Sequence, residues 1–195
     1  MRSNSLKRRS MAAPDKVENE TITAYVGLGS NLGDRAGNLL LGVRGLMEAS
    51  FQVIKLSAIY ETEPVGLDYA APSFLNMVAE VRSTGITPTQ MLARMLRIEY
   101  LLGRTDKSQN KPRTIDLDLL FCGENVMDSP FLTVPHARAH LRRFVLVPMN
   151  EIGPTLNHPT LHKDVGTLLA ECPDDSRVVR WYPSVRDGLH ISSAG

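Results

Sequence analysis

Residues 112–121 read Pro-Arg-Thr-Ile-Asp-Leu-Asp-Leu-Leu-Phe and place two acids, Asp116 and Asp118, at alternate positions of an otherwise apolar run. Such a run is typical of a buried strand, in which side chains at i and i+2 point to the same face, about 7 Å apart. Carboxylates on a buried face need cations, either basic side chains or a metal ion, and oxygen ligands suit Mg²⁺ better than zinc. The alternative is an edge strand with a solvated acidic face, but Arg113 just upstream favours the first interpretation.

The residues before this strand alternate between the period of a strand and that of a helix. Strands are predicted over 22–28, 53–60 and 74–81. A turn over 30–34 leads into a first helix, whose predicted buried face consists of Ala36, Leu40, Val43 and Met47. The spacing of Gly27, Gly29 and Gly33 is not that of a dinucleotide-binding fingerprint, so we assign them to a tight turn, with Asn31 or Asp34 capping the helix.

The second predicted helix has the clearest boundaries. Thr87 and Gln90 form a capping box around Pro88 at the first helical position, and Gly103 is placed to end the helix. Its apolar stripe is formed by Met91, Met95, Ile98 and Leu102. The resulting order of strand, helix, strand, strand, helix, strand predicts a ferredoxin-like α+β sandwich, a mainly antiparallel sheet with helices packed on it.

The chain of 195 residues is long enough for one domain with a substantial core. We expect that domain over 21–172, after a disordered polar extension at 1–20 and before a tail at 173–195 in which 178–182 could add one strand. Cys122 and Cys172 fall in no metal-type spacing and are interpreted as reduced thiols of a cytoplasmic protein. No apolar run approaches the ~20 residues that cross a bilayer, so no membrane partner is expected.

Basic residues gather on both sides of the acid pair. The loop before it carries Arg104, Lys107, Lys111 and Arg113, and the stretch 136–143 adds Arg138, Arg142 and Arg143. Any one of these cations alone is most simply solvated. Their grouping around two acids favours a polyphosphate with Mg²⁺, in a protein that has no P-loop motif.

Histidines at i and i+4 occur twice, as His136 with His140 and His158 with His162. This spacing suits zinc on a helix, but Pro159 lies inside the second pair and no third ligand has a suitable spacing. His136 is better placed as a hydrogen-bond donor to a phosphate or a ribose.

Four further segments, read together with the acid strand, resemble the 6-hydroxymethyl-7,8-dihydropterin pyrophosphokinase family. They are Ala-Tyr-Val-Gly-Leu-Gly-Ser-Asn-Leu-Gly-Asp at 24–34, Tyr-Glu-Thr-Glu-Pro-Val-Gly at 60–66, Phe-Leu-Asn at 74–76 and Leu-Thr-Val-Pro-His at 132–136. The resemblance covers about residues 22–172. It implies an enzyme of folate biosynthesis that transfers pyrophosphate from ATP to the hydroxymethyl group of the dihydropterin and releases AMP.

The same resemblance implies the residues of the nucleotide site. Asp116 and Asp118 would bind two Mg²⁺ ions together with ATP, and Arg104 and Arg113 would hold the phosphates and stabilise developing charge. Three more residues would complete this site, namely Glu99, His136 and Arg142.

The pterin would be held by loop contacts from Thr62 and Val65, by the amide of Asn76, and by stacking on Phe74 and Phe144. A flat heteroaromatic with an amide-like edge is complemented by such rings and amides. The alternative is that both phenylalanines belong to the ordinary core, and for Phe144 the neighbouring apolar residues keep that interpretation open.

The chain departs from the family pattern at five loop positions, which are Asp106, Asn110, Lys111, Ala137 and Arg143. The departures bear on loop closure and ATP affinity, not on the reaction. Two other classes compete with the enzyme. A nucleic-acid-binding module would need exposed aromatics on its strands, and aromatics are only 6% of the chain. A catalytically silent pterin or nucleotide-binding protein would lose the acids, and both are present. We expect no nucleic-acid partner and a monomer or weak homodimer.

Overall fold

The computed structural model describes residues 20–63, 72–104 and 112–183. Its main sheet contains β1 (Thr21–Ser30), β2 (Gln52–Leu56), β3 (Tyr60–Thr62), β4 (Phe74–Thr84), β5 (Asp116–Cys122) and β8 (Val178–Arg180). The short strands β6 (Met127–Asp128) and β7 (Thr133–Val134) pair separately. The helices are α1 (Arg35–Glu48), α2 (Pro88–Leu101), α3 (Arg143–Ile152) and α4 (Val165–Ala170), and Ala139–Leu141 forms a 3₁₀ turn.

The main sheet has the order β5-β1-β4-β3-β8, with β2 also paired to β4. Each of these pairs is antiparallel. The helices α1 and α2 pack on one face, against β1, β4 and β5, while α3 packs on β4 from the other. The predicted α+β class, an antiparallel sheet with helices packed on it, is confirmed.

The period of two along β1 and β5 sends side chains into two cores, one on each face of the sheet. The first core lies under α1 and α2 and includes Val26, Leu117 and Met95. The second lies under α3 and α4 and includes Phe121 and Met149. A buried sheet with both faces covered explains why the segment after Asp118 is apolar at every position.

The predicted boundaries of α2 are confirmed by its caps. The Thr87 hydroxyl accepts the N–H of Gln90 at 3.2 Å, and the Gln90 side chain accepts the N–H of Thr87 at 2.9 Å. Gly103 ends the helix with a φ of +91°, a conformation that favours glycine. Met91 and Met95 are fully buried, as the apolar stripe predicted.

The predicted buried face of α1 is right at two positions and wrong at two. Val43 is buried and Ala36 packs against the first core, as predicted. Leu40 and Met47 are 60% and 61% exposed, whereas Leu39 and Leu46 are fully buried. Adjacent leucines satisfy either of two helical registers, so the periodicity does not distinguish them. Packing does, because Gly42 on the buried side brings the helix against Ile115 and Leu28, and a Cβ there would lie 3.1 Å from Ile115 and 3.2 Å from Leu28. A larger residue at position 42 would therefore require the side chains of Ile115 and Leu28 to shift.

Two strand predictions also need correction. The predicted strand 53–60 is divided into β2 and β3. Between them, the N–H of Ser57 donates to the carbonyl of Val78 and the Ser57 hydroxyl accepts the N–H of Val78, both at 2.9 Å, so the side chain replaces one backbone acceptor. Gly27 and Gly29 lie inside β1 and not in a turn. The turn is made by Gly33, whose φ is +66°, and Asp34 caps α1 by accepting the N–H of Gly37 at 3.0 Å.

Both cysteines are free thiols. Cys122 is buried with its Sγ 3.7 Å from Met91 Sδ, and burial raises its pKa to about 11. Across the described ranges, no helix combines the length and the apolar character needed to cross a membrane.

Candidate active site

The two acids of β5 lie beside two glycines of β1. In the antiparallel register Asp116 is opposite Gly29, and Asp118 is opposite Gly27. The intervening Leu117 belongs to the first core, so the carboxylates lie on the other face of the sheet. Because neither glycine has a side chain, the floor beside both carboxylates stays open, and a cavity of about 850 Å³ lies over it.

This cavity brings together the sequence-predicted site residues that the structure describes. They are Thr62, Phe74, Asn76, Glu99, Arg104, Arg113, Asp116, Asp118, His136, Arg142 and Phe144. Val65 lies outside the described residues, as do the loop positions Asp106, Lys107, Asn110 and Lys111. Side chains predicted from separate segments of the chain therefore line a single cavity.

Asp116 is held between two arginines. Arg113 donates to Asp116 Oδ2 at 2.7 Å, and Arg104 donates to Oδ1. The backbone of Arg113 is itself fixed by Asn31, whose Oδ1 accepts the N–H of Arg113 at 2.8 Å and whose own N–H bonds the Arg113 carbonyl at 3.2 Å. Asn31 therefore positions this arginine and does not cap α1.

Glu99 holds Arg104 in place through a buried ion pair. Its Oε1 accepts from Arg104 at 2.5 Å and from the N–H of Leu117 at 2.7 Å. The side chain is almost fully buried, and burial raises the pKa of Glu99 against the opposing effect of these donors. One buried carboxylate thus joins the end of α2, the first loop arginine and the acid strand.

The negative charge of Asp118 is less well neutralised than that of Asp116, which bonds two arginines. Burial, with the adjacent charge of Asp116, raises the pKa of Asp118 to about 6, although Arg142, Arg113 and Arg104 act in the opposite direction. The ionised form is therefore costly in this structure, and a further cation beside it would stabilise it.

The two carboxylates suit a cation that takes most of its ligands from a bound substrate and from water. Among the described residues there is no group of three or more His, Cys, Asp or Glu side chains placed to hold a metal ion. Mg²⁺ commonly uses one or two carboxylates and completes its octahedron with substrate phosphates and water. Asp116 and Asp118 match that pattern.

Further donors that line the cavity come from the segment before α3. His136 Nδ1 accepts the N–H of Arg138 at 3.2 Å, and burial lowers the pKa of His136. A neutral ring with Nδ1 as acceptor carries its proton on Nε2, which leaves an N–H donor. Burial, together with the charge of Arg138, also lowers the pKa of Arg142. This part of the cavity is therefore suited to an anion.

Aromatic and amide groups form the remaining wall. Asn76 Nδ2 donates to Thr62 Oγ1 at 2.8 Å, which fixes the orientation of the amide. Both phenylalanines are partly exposed, with Arg113 lying 6.0 Å from the ring centre of Phe74 and Arg142 lying 5.4 Å from that of Phe144. Two rings with cationic neighbours and one oriented amide suit a flat, polar heterocycle.

Sequence reasoning missed several residues of this cavity. Gly27 and Gly29 were assigned to a turn, although their alternation matches that of the two acids and could have placed them on a paired strand. Arg138 was recognised only as part of a basic stretch. Pro173 and Asp174 also line the cavity, but they lie in the segment expected to be a tail. No local signal marks these last two, because their contacts are made across the fold.

Comparisons with known proteins agree on one family. Residues 25–154 match the family model of 7,8-dihydro-6-hydroxymethylpterin-pyrophosphokinase (HPPK). A Bacillus subtilis 2-amino-4-hydroxy-6-hydroxymethyldihydropteridine pyrophosphokinase is 44% identical over 130 residues, which cover 66% of this chain and 77% of that protein. An Aquifex aeolicus protein of the same name is 34% identical over 141 residues, covering 72% of this chain and 86% of its own.

Other relatives are longer. The match to the Pisum sativum mitochondrial folate synthesis bifunctional protein covers 75% of this chain but 28% of that protein, at 34% identity. A solved Plasmodium falciparum HPPK-DHPS structure superimposes with a TM-score of 0.66 over 80% of this chain and 46% of its own, at 18% identity. At that identity the structural likeness supports the fold alone.

Proposed function

Because this chain belongs to the 7,8-dihydro-6-hydroxymethylpterin-pyrophosphokinase family, we propose that the cavity over β1, β4 and β5 is its active site. The reaction is the transfer of pyrophosphate from ATP to the hydroxymethyl group of 6-hydroxymethyl-7,8-dihydropterin in folate synthesis. One observation carries the assignment of the site. The same cavity holds an acid pair with arginines, suited to a polyphosphate, and an oriented amide with two phenylalanines, suited to a pterin.

The arginines that hold Asp116 in this structure are the proposed ligands of the ATP phosphates. Arg104 and Arg113 each donate through one terminal nitrogen to Asp116 here, and phosphate oxygens accept the same kind of charge-assisted bond. Arg104 Nε is buried and has no hydrogen-bond partner among the described residues, so one donor remains for an incoming oxygen. His136 and Arg142 would also bind the nucleotide.

Asp116 and Asp118 are the proposed ligands of two Mg²⁺ ions bound with ATP. Bound there, Mg²⁺ would neutralise phosphate charge and polarise the phosphoryl group. Both carboxylates line the cavity from the same face of β5, and a cation beside Asp118 would stabilise its ionised form against burial, which supports this role. Glu99 would have an indirect role, because it keeps Arg104 in place.

In the proposed reaction the hydroxymethyl oxygen of the pterin loses its proton to solvent and forms a bond to the β-phosphorus of ATP. The bond from that phosphorus to the oxygen bridging the α-phosphate breaks, and AMP leaves with that oxygen. Arg104 and Arg113 would stabilise the charge that develops on the phosphoryl and bridging oxygens. The enzyme then contributes mainly positioning and electrostatic stabilisation.

The pterin is proposed to stack between Phe74 and Phe144. Asn76, held by Thr62, would hydrogen-bond the amide-like edge of the ring. Val65 is proposed as a further contact on the basis of the family resemblance, and it lies outside the described residues.

The test is AMP release from ATP and 6-hydroxymethyl-7,8-dihydropterin with Mg²⁺. We expect pterin-dependent AMP formation by the unaltered protein and its loss in Asp116→Ala and Asp118→Ala. The matched control is Asp128→Ala, which removes an exposed acid of β6 bonded to Thr133 and should retain activity. ATP binding without any AMP would favour the silent nucleotide-binding protein.

We also propose a cytoplasmic protein that acts as a monomer or weak homodimer. The sequence predicted its catalytic domain over 21–172, and the pairing of β8 with β3 supports a domain that also includes this strand. The free state of both cysteines supports a reducing location. Light scattering during size-exclusion chromatography, over a tenfold range of protein concentration, tests the assembly. A mass that stays at two chains after dilution would contradict it.

A further inference from the structure

The start of α3 is held by a residue from the far end of the described chain. Helix α3 begins at Arg143, and its N-cap, Arg142, makes no side-chain capping bond. The first N–H groups of a helix need acceptors from outside it. Asp174 supplies one, because its Oδ2 accepts the N–H of Arg143 at 2.8 Å across 31 residues of sequence.

Asp174 is itself fixed in place. Its Oδ1 accepts the N–H of Ser176 at 2.9 Å, and the following residues form β8, which pairs with β3. The N–H of Trp181 then bonds the carbonyl of Ile59 at 2.8 Å. The carboxylate therefore joins α3 to the same strand, β3, that carries Thr62.

The helix start that Asp174 holds is the part of α3 that reaches the cavity. Arg142 and Phe144 flank Arg143, line the cavity and stack on each other, with the guanidinium 5.4 Å from the ring centre. Asp174 lines the same cavity. Burial opposes the ionisation of Asp174, but the N–H groups of Ser176 and Arg143 hold its pKa below the usual value, and a carboxylate at this position also complements the helix dipole.

We propose that Asp174 is a positioning residue of the active site, which holds the first turn of α3 so that Arg142 and Phe144 face the two substrates. The proposal rests on the proposed function of this cavity. It extends the site beyond residue 154, where the match to the family model ends. It assigns Asp174 no contact with the reacting atoms.

The experiment measures KM for ATP and for the pterin, kcat and melting temperature in the full chain. Asp174→Ala should raise both KM values by about fivefold to tenfold, the scale of a lost N-cap, with a smaller change in kcat. Asp174→Asn keeps an acceptor oxygen and should recover most of the affinity. Asp164→Ala is the matched control, since Asp164 caps α4 by accepting the N–H of Thr167 at 2.7 Å and does not line the cavity.

A purely structural role predicts that the two alanine variants lose melting temperature alike and keep the KM values of the unaltered protein. That result would overturn the proposal. So would an Asp174→Asn variant as weak as Asp174→Ala, or an Asp174→Ala protein that no longer unfolds cooperatively. Failure of the proposed function is distinguishable, because the unaltered protein would then release no pterin-dependent AMP.

Discussion

Gly29 lies directly opposite Asn76 in the sheet, and a Cβ added at Gly29 would lie 3.1 Å from Asn76 Oδ1. The absence of a side chain at Gly29 therefore leaves the space in which the amide is oriented by Thr62. The same glycine is opposite Asp116 on its other side, so one position of β1 separates the proposed pterin and metal ligands.

Gly29→Ala is expected to displace the Asn76 amide and weaken pterin binding. Loss of one oriented hydrogen bond predicts a rise in the pterin KM of about threefold to tenfold, with a smaller effect on the KM for ATP. Gly27→Ala provides the comparison, because its nearest contact is a flexible Leu120 methyl group at 3.4 Å, and it should have the smaller effect on pterin. Equal losses in both variants would contradict the steric argument.

Glu99→Gln is expected to lower kcat/KM for ATP by about fivefold to tenfold. Arg104 and Leu117 donate to the same oxygen of Glu99, so the amide oxygen can still accept both, but the negative charge is lost, and a charge-assisted bond is about twice as strong as a neutral one of about 1 kcal/mol. Glu80→Gln is the control. Glu80 is also buried, but it contacts Tyr25 and Lys55 away from the cavity, so its loss should change the melting temperature and not the kinetics for ATP.

The stability that His158 contributes to the free protein is expected to fall as the pH drops below about 6.5, opposite in direction to Glu99 and Asp118, whose raised pKa values add stability on acidification. Burial, together with His140, lowers the pKa of His158 in the folded state, so the unfolded chain binds more protons between that lowered pKa and the ordinary value near 6.5. Stability from this residue is thus fully present above pH 6.5 and is lost on acidification through this window. The neutral ring is needed because its Nδ1 accepts the N–H groups of Thr160 and Leu161.

His158→Asn tests this origin, because the amide oxygen replaces the Nδ1 acceptor and does not titrate. In urea unfolding between pH 5 and 7.5, the free energy of unfolding of this variant should increase less with pH than that of the unaltered protein. His162→Asn is the control, at an exposed position whose φ of +54° asparagine tolerates. An unchanged slope in the His158 variant would assign the acid sensitivity to other groups.

Removal of residues 173–195 is expected to destabilise the domain and impair substrate binding. This deletion removes Asp174, the pairing of β8 with β3, and Trp181, which packs against the first core. Burial of one large apolar side chain contributes about 2 kcal/mol, so a loss of at least this size should appear in urea unfolding. Removal of residues 184–195 keeps each of these contacts and should change neither property. A truncation after Cys172 that behaves like the longer protein would show that the catalytic domain ends there.

Local features of the sequence were sufficient for most of the elements. The capping box of Thr87 and Gln90, with Gly103 at the other end, bounded α2 because caps depend on residues a few positions apart. The alternation of Asp116 and Asp118 identified β5 for the same reason. Periodicity was insufficient where apolar residues are adjacent, and the buried face of α1 was assigned to Leu40 when packing selects Leu39.

The sequence by itself determined the α+β class, the family and the chemical character of the site, since these depend on short motifs and their order. Only the tertiary structure placed Gly29 between Asp116 and Asn76, and Asp174 at the start of α3. Both relationships join residues far apart in the chain, through strand register in one case and a single hydrogen bond in the other. Neither leaves a local pattern, because register and long-range contacts are selected by the packing of the whole sheet.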